Sequence, residues 1–116
     1  MNVKIDFSDE AKKVFDFIAE KSLSSKKERM LFDAIREKIE LIKLDRHYGV
    51  NIPKKLIPEF YKEVYNAKNL FRIELPLFWR MLYSVGEGEN RIEIIALIVE
   101  IINHKKYNKR FGYRKH

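Results

Sequence analysis

Apolar and polar positions alternate most clearly between Asn69 and Ile102, where the chain reads NLFRIELP, FWRMLYSV, GEGEN and RIEIIALIVEII. A proline and a Gly/Asn cluster punctuate three runs rich in Ile, Val, Leu and aromatics, which predicts consecutive antiparallel strands in a meander. In the first run Phe71, Ile73 and Leu75 share one parity and Arg72 and Glu74 the other. In the second, Trp79, Met81, Tyr83 and Val85 oppose Arg80 and Ser84. One face is then core and the other carries cations. The third run, Ile92 to Ile102, is apolar on both parities except at Glu93 and Glu100, as a central strand covered on both faces would be. Periodicity alone also permits a helix there, but the β-branched content and the preceding turn favour the strand.

Upstream the period changes. Val3, Ile5 and Phe7 alternate with polar residues in a short first strand, and Ser8 stands as the N-cap of a helix that opens with Asp9 and Glu10. That helix carries Ala11, Val14, Phe15 and Ile18 on one stripe, widened by Phe17, and ends near Lys21. After a serine-rich joint, Ser25 and Glu28 have capping-box spacing, and Leu31, Ala34, Ile35, Ile39 and Ile42 repeat at helical intervals. The second helix is expected to run to Tyr48 and to close on Gly49 as its left-handed cap. Residues 50–68 read as a connector with one helical turn from Pro58 to Tyr65. The whole predicts a single α+β domain over residues 1–116, in the order β-α-α-β-β-β, with the helical hairpin packed on a small antiparallel sheet.

Composition adds a polarity. The chain has 116 residues and a formal net charge of +7, but the first 48 residues hold 11 Lys and Arg against 10 acids, whereas the remaining 68 hold 13 against 7. The last fourteen, NHKKYNKRFGYRKH, contain six Lys and Arg and no acid, interleaved with Tyr107, Phe111 and Tyr113. Cations that neutralise phosphates, alternating with rings on which bases stack, are the ingredients of nucleic-acid contact. A solvated basic tail has the same composition. There is no cysteine, hence no disulfide framework. No apolar run approaches the roughly 20 residues of a membrane span, and MNVKIDFSDE lacks a hydrophobic signal core, so a cytoplasmic protein that does not enter membranes is expected.

Candidate chemistry is narrow. His47, His104 and His116 stand apart without acidic companions at ligand spacing, which argues against a metal site. Four scattered glycines build no phosphate-binding loop, and no nucleophile elbow is present, so no cofactor is expected. What remains is a group of cations and phenols near one sheet face. Arg72 and Arg80 on neighbouring strands could clamp a phosphate and stabilise charge developing on it, with His104 or Tyr107 passing a proton. Such a set would cleave RNA without metal, through attack of a 2′-hydroxyl. The same residues have plainer uses: the arginines pair with Glu74 or Glu93, and the tyrosines pack.

The F-R-I-E-L-P, F-W-R-M-L-Y-S-V, I-E-I-I-A-L-I-V-E-I and N-H-K-K-Y segments, in that order after a strand and a helical hairpin, resemble the RelE/ParE superfamily of toxins from type II toxin–antitoxin systems. The closing K-R-F-G-Y looks like a feature of an archaeal-looking branch. The resemblance implies a RelE-like mRNA interferase, cutting translated mRNA in association with the ribosome and inhibited by a cognate acidic antitoxin in a hetero-oligomer. It implies Arg72, Arg80 and Tyr107 as catalytic residues, with His104 or Lys105 as a late basic one, His104 being the expected choice; Lys105, Lys106, Lys109 and Arg110 of the basic segment are the expected RNA contacts. It also implies a concave basic face opposite the helices. Glu74 departs from the pattern, lying where potent members tend to carry a second lysine, and would repel a phosphate. The fold also serves gyrase inhibitors of the ParE type, and a non-catalytic nucleic-acid or ribosome-binding module is the alternative.

Overall fold

A computed structural model describes residues 3–89 and 92–112. Strand β1, Val3–Phe7, leads into helices α1, Asp9–Lys21, and α2, Lys26–Leu44. A two-residue strand β2, Val50–Asn51, a 3-10 turn at Lys54–Leu56 and helix α3, Glu59–Tyr65, follow. Then come β3, Phe71–Glu74, a 3-10 turn at Pro76–Phe78, β4, Trp79–Glu87, β5, Ile94–Asn103, and helix α4, His104–Phe111. Among the described residues the strands form one sheet in the order β1-β5-β4-β3-β2.

The fold is α+β as expected, but the sheet is mixed, because β1 runs parallel to β5 while the other pairings are antiparallel. The helical hairpin separates β1 from the meander and lets it enter the sheet beside β5 in the same direction. β5 is internal, although β4 is the middle strand of the five.

Ser8 fixes the first corner. Its Oγ accepts from the Ala11 amide at 3.0 Å, as an N-cap should, and donates to the Val99 carbonyl at 2.7 Å. Ser25 behaves differently: its hydroxyl donates to the Glu28 carboxylate, with no side-chain bond to the helix amides. α2 ends at Leu44, before the expected stop, because Asp45 leaves helical geometry and turns the chain, accepting from Tyr48 N through its carbonyl and from His47 N through its carboxylate. Gly49 is therefore no helix cap. A Cβ there would lie 3.0 Å from the Tyr83 ring and 3.1 Å from the Arg72 carbonyl, so the close approach of loop to sheet requires glycine.

Two cores sandwich the sheet. On one face Phe71, Ile73, Met81, Tyr83, Ala96 and Ile98 pack against Ile18, Leu31, Ile35 and Ile42 of the hairpin. On the other, Leu82, Val99 and Ile102 pack against Tyr61 and Tyr107 of α3 and α4. The face that carries the cations is thus not open, as the strand parity and the resemblance both implied. Leu70 and Leu82, with Ile52 and Ile57 from the connector, supply apolar surface there that α3 and α4 cover. A register shift opposite Leu82 and Tyr83 is a β-bulge that turns both Val99 and Glu100 toward this second core.

Candidate functional site

Where β3 and β4 approach α4, four of the sequence-predicted or weighed groups meet. Glu74 and Arg80 are directly paired across the two strands, and Arg72 is paired with Leu82 two residues along. Strand alternation therefore puts all three polar side chains on the face carrying α4. The Glu74 carboxylate bridges the arginines, with Oε1 3.0 Å from Arg72 Nε and Oε2 3.3 Å from Arg80 Nε. Glu93, the other conceivable partner, lies at the far hairpin, where its carbonyl accepts from Gly88 N.

α4 contributes Tyr107 to the same cluster. Asn103 caps the helix, its Oδ1 accepting from Lys106 N at 2.9 Å, and the i, i+4 pair Tyr107 and Phe111 forms its apolar edge, the rings stacked at 4.3 Å. The Tyr107 hydroxyl accepts from Arg72 Nη1 at 3.0 Å, and the Arg80 guanidinium lies 4.7 Å from the centre of its ring. Tyr107 is 3% exposed, so it orients both guanidinium groups from beneath. Glu74 is the most exposed of the ion-paired three, at 58% against 29% for Arg72 and 21% for Arg80.

His104, the first residue of α4, is exposed and meets the ring of Phe78 edge-on at 5.8 Å. Phe78 also accepts through its carbonyl from Arg80 Nη1 at 3.4 Å. His104 thus stands at the rim of the cluster, reached through Phe78. The turn that presents Phe78 holds both Leu77 and Phe78 at a φ of 61°, in the left-handed region that non-glycine residues rarely adopt.

The basic residues of α4 divide. Lys105, Lys106 and Lys109 are exposed and, with Asn103 and Arg110, line a surface hollow of about 370 Å³. Arg110 points inward. It meets the buried Glu100 carboxylate through Nε at 3.2 and 3.3 Å and through Nη2 at 3.1 Å, and lies 3.6 Å from the centre of the Phe60 ring. Burial works against the Arg110 charge, but the hydrogen bonds and charge of Glu100 outweigh it and raise the guanidinium pKa. Tyr61 donates to the same carboxylate at 2.5 Å, and its own pKa is raised by burial and then by that bond. Arg110, expected as an RNA contact, is therefore the anchor of α4; Glu100, an acid in an apolar run, is the sequence signal that could have pointed to it. Tyr113 and the residues after it lie outside the described residues. Among the described residues no cluster of three or more His, Asp or Glu could hold a metal ion, and no helix is long and apolar enough to cross a membrane.

No protein-family model, curated protein or solved structure matches the chain significantly.

Proposed function

We propose that the chain is a RelE-like toxin that cleaves single-stranded, translated RNA without metal and is neutralised in the cytoplasm by an acidic antitoxin. The observation that carries this reading is the convergence of Arg72, Glu74, Arg80 and Tyr107, from three elements, on one corner of the sheet. The order of strand, helical hairpin, meander and basic C-terminal segment supports it.

Each group has a task in such a reaction. Two guanidinium groups held by one phenol are arranged to bind a phosphate and to stabilise the charge that grows on it. Glu74, the exposed carboxylate of the cluster, is the group we assign to take the proton of a 2′-hydroxyl as that oxygen attacks phosphorus. Its presence among the arginines thereby becomes useful, where repulsion alone was expected. His104 at the rim is the group accessible for protonating the departing 5′-oxygen, and Tyr107 is a positioning residue. The lysines of α4 extend the cationic surface along which a strand would lie.

Induction in a heterologous host, with growth and RNA 5′ ends followed together, tests the reading. The wild-type chain is expected to arrest growth and create ends within translated codons, and Arg80→Ala and Glu74→Gln to abolish both while folded protein accumulates. A second reading, binding without cleavage, draws on the same ion pair, since Glu74 already occupies both guanidinium groups. Under it, RNA association survives in every variant and no new ends arise.

A further inference from the structure

At the sheet edge where β2 stops lies a hollow of about 270 Å³ whose lining includes Lys38, Tyr48, Gly49, Arg72, Ile73 and Glu74. That is smaller than the roughly 300–1,000 Å³ of pockets that take a whole small molecule, and suits one part of a longer ligand. β2 pairs with Arg72 and Phe71, and β3 continues past it through Ile73 and Glu74 with no strand partner on that edge among the described residues.

The hollow is held open by the core. Tyr83, fully buried, accepts from Gly49 N at 2.9 Å and donates to the Arg46 carbonyl at 2.9 Å, so one hydroxyl pins both ends of the loop that carries Tyr48. His47 stacks on Phe71 at 5.5 Å. Tyr48 is 39% exposed. Lys38 Nζ donates to its hydroxyl at 3.2 Å and lies 5.6 Å from its ring centre. A preset, partly exposed aromatic beside one cation, with a second, Arg72, in the same lining, has the composition of a site where an unstacked base lies on a ring while its phosphate meets positive charge.

We infer that this hollow is a subsite for one base of single-stranded RNA, stacked on Tyr48, next to the phosphate held at Arg72 and Arg80. The inference rests on the RNA reading above and adds to it a residue that would govern where along a strand the protein acts. Arg72 and Glu74 belong to the cluster and also line the hollow, so a strand crossing the β3 edge would meet both.

The test is the affinity of the full chain for a short 2′-O-methyl RNA, which cannot be cleaved, measured by fluorescence anisotropy. Tyr48→Ala is expected to weaken binding about tenfold, within the range for one base stacked on an aromatic ring. Tyr48→Phe is expected to bind like wild type, since the ring remains. An oligonucleotide scanned with a single abasic nucleotide is expected to show one position at which wild type and Tyr48→Ala bind equally. Equal binding of intact oligonucleotide by wild type and Tyr48→Ala, both shown folded by thermal unfolding, would overturn the subsite. No binding by wild type would overturn both the subsite and the RNA reading. Tyr48-dependent binding, with ordinary RNA left uncut, would support the subsite and sink the nuclease reading alone.

Discussion

Single residues decide where this chain follows its local pattern and where tertiary contacts override it. Ser8 was legible, because a serine before two acids and a helical stripe satisfies the first-turn amides whatever else the fold does. Gly49 was misread for the opposite reason: its cause is a Tyr83 ring 34 positions away, which no local pattern contains. Leu77 and Phe78 gave no sign of their left-handed backbone, since neither is a residue that favours it. A testable consequence follows at Leu77, which is 42% exposed. Leu77→Gly is expected to leave stability unchanged or to raise it by up to about 1 kcal/mol, and the β-branched Leu77→Val to lower it by about 1 kcal/mol or more. Denaturant midpoints for the two variants measure this, and a loss above about 1 kcal/mol for the glycine would show that side-chain contacts outweigh backbone strain.

Among the elements, the three meander strands and the first two helices were legible because each presents an unbroken period of burial over several residues. α3 was visible only as a turn after Pro58, being short and flanked by connector. α4 was the least visible, because basic residues dominate its short sequence and its anchorage is tertiary: Tyr107 and Phe111 pack in the second core while Arg110 reaches Glu100. Removing Glu100 therefore leaves Arg110 and Tyr61 facing an apolar wall. Glu100→Ala is expected to cost about 3–5 kcal/mol, the usual loss when one member of a buried pair is deleted. Glu100→Leu combined with Arg110→Leu is expected to recover most of it, because no charge is then stranded. Chemical denaturation of both variants decides this, and a double variant no more stable than Glu100→Ala would show that the ion pair itself holds α4 in place.

At the scale of the molecule, a sheet covered on both faces brings the paired arginines to one corner, between β3, β4 and α4. That corner is where the proposed RNA would lie, with the Tyr48 hollow on one side and the lysines of α4 on the other. Arg72 and Arg80 were legible as a pair from strand parity. Their sharing of Glu74 depended on register, and the burial of Tyr107 depended on how α4 docks, so neither could be read from spacing. The chemistry argued for this corner makes a definite product. Attack by a 2′-hydroxyl expels the 5′-oxygen of the next nucleotide, so the upstream fragment ends in a 2′,3′-cyclic phosphate and the downstream one begins with a 5′-hydroxyl. The most direct measurement is the end chemistry of RNA fragments made by the purified chain from translated message, read by whether their 5′ ends accept a phosphate from a kinase without prior phosphatase treatment. Ends bearing 5′-hydroxyl groups, lost with Glu74→Gln, are expected. Fragments bearing 5′-phosphates, or intact RNA from folded protein, would contradict it.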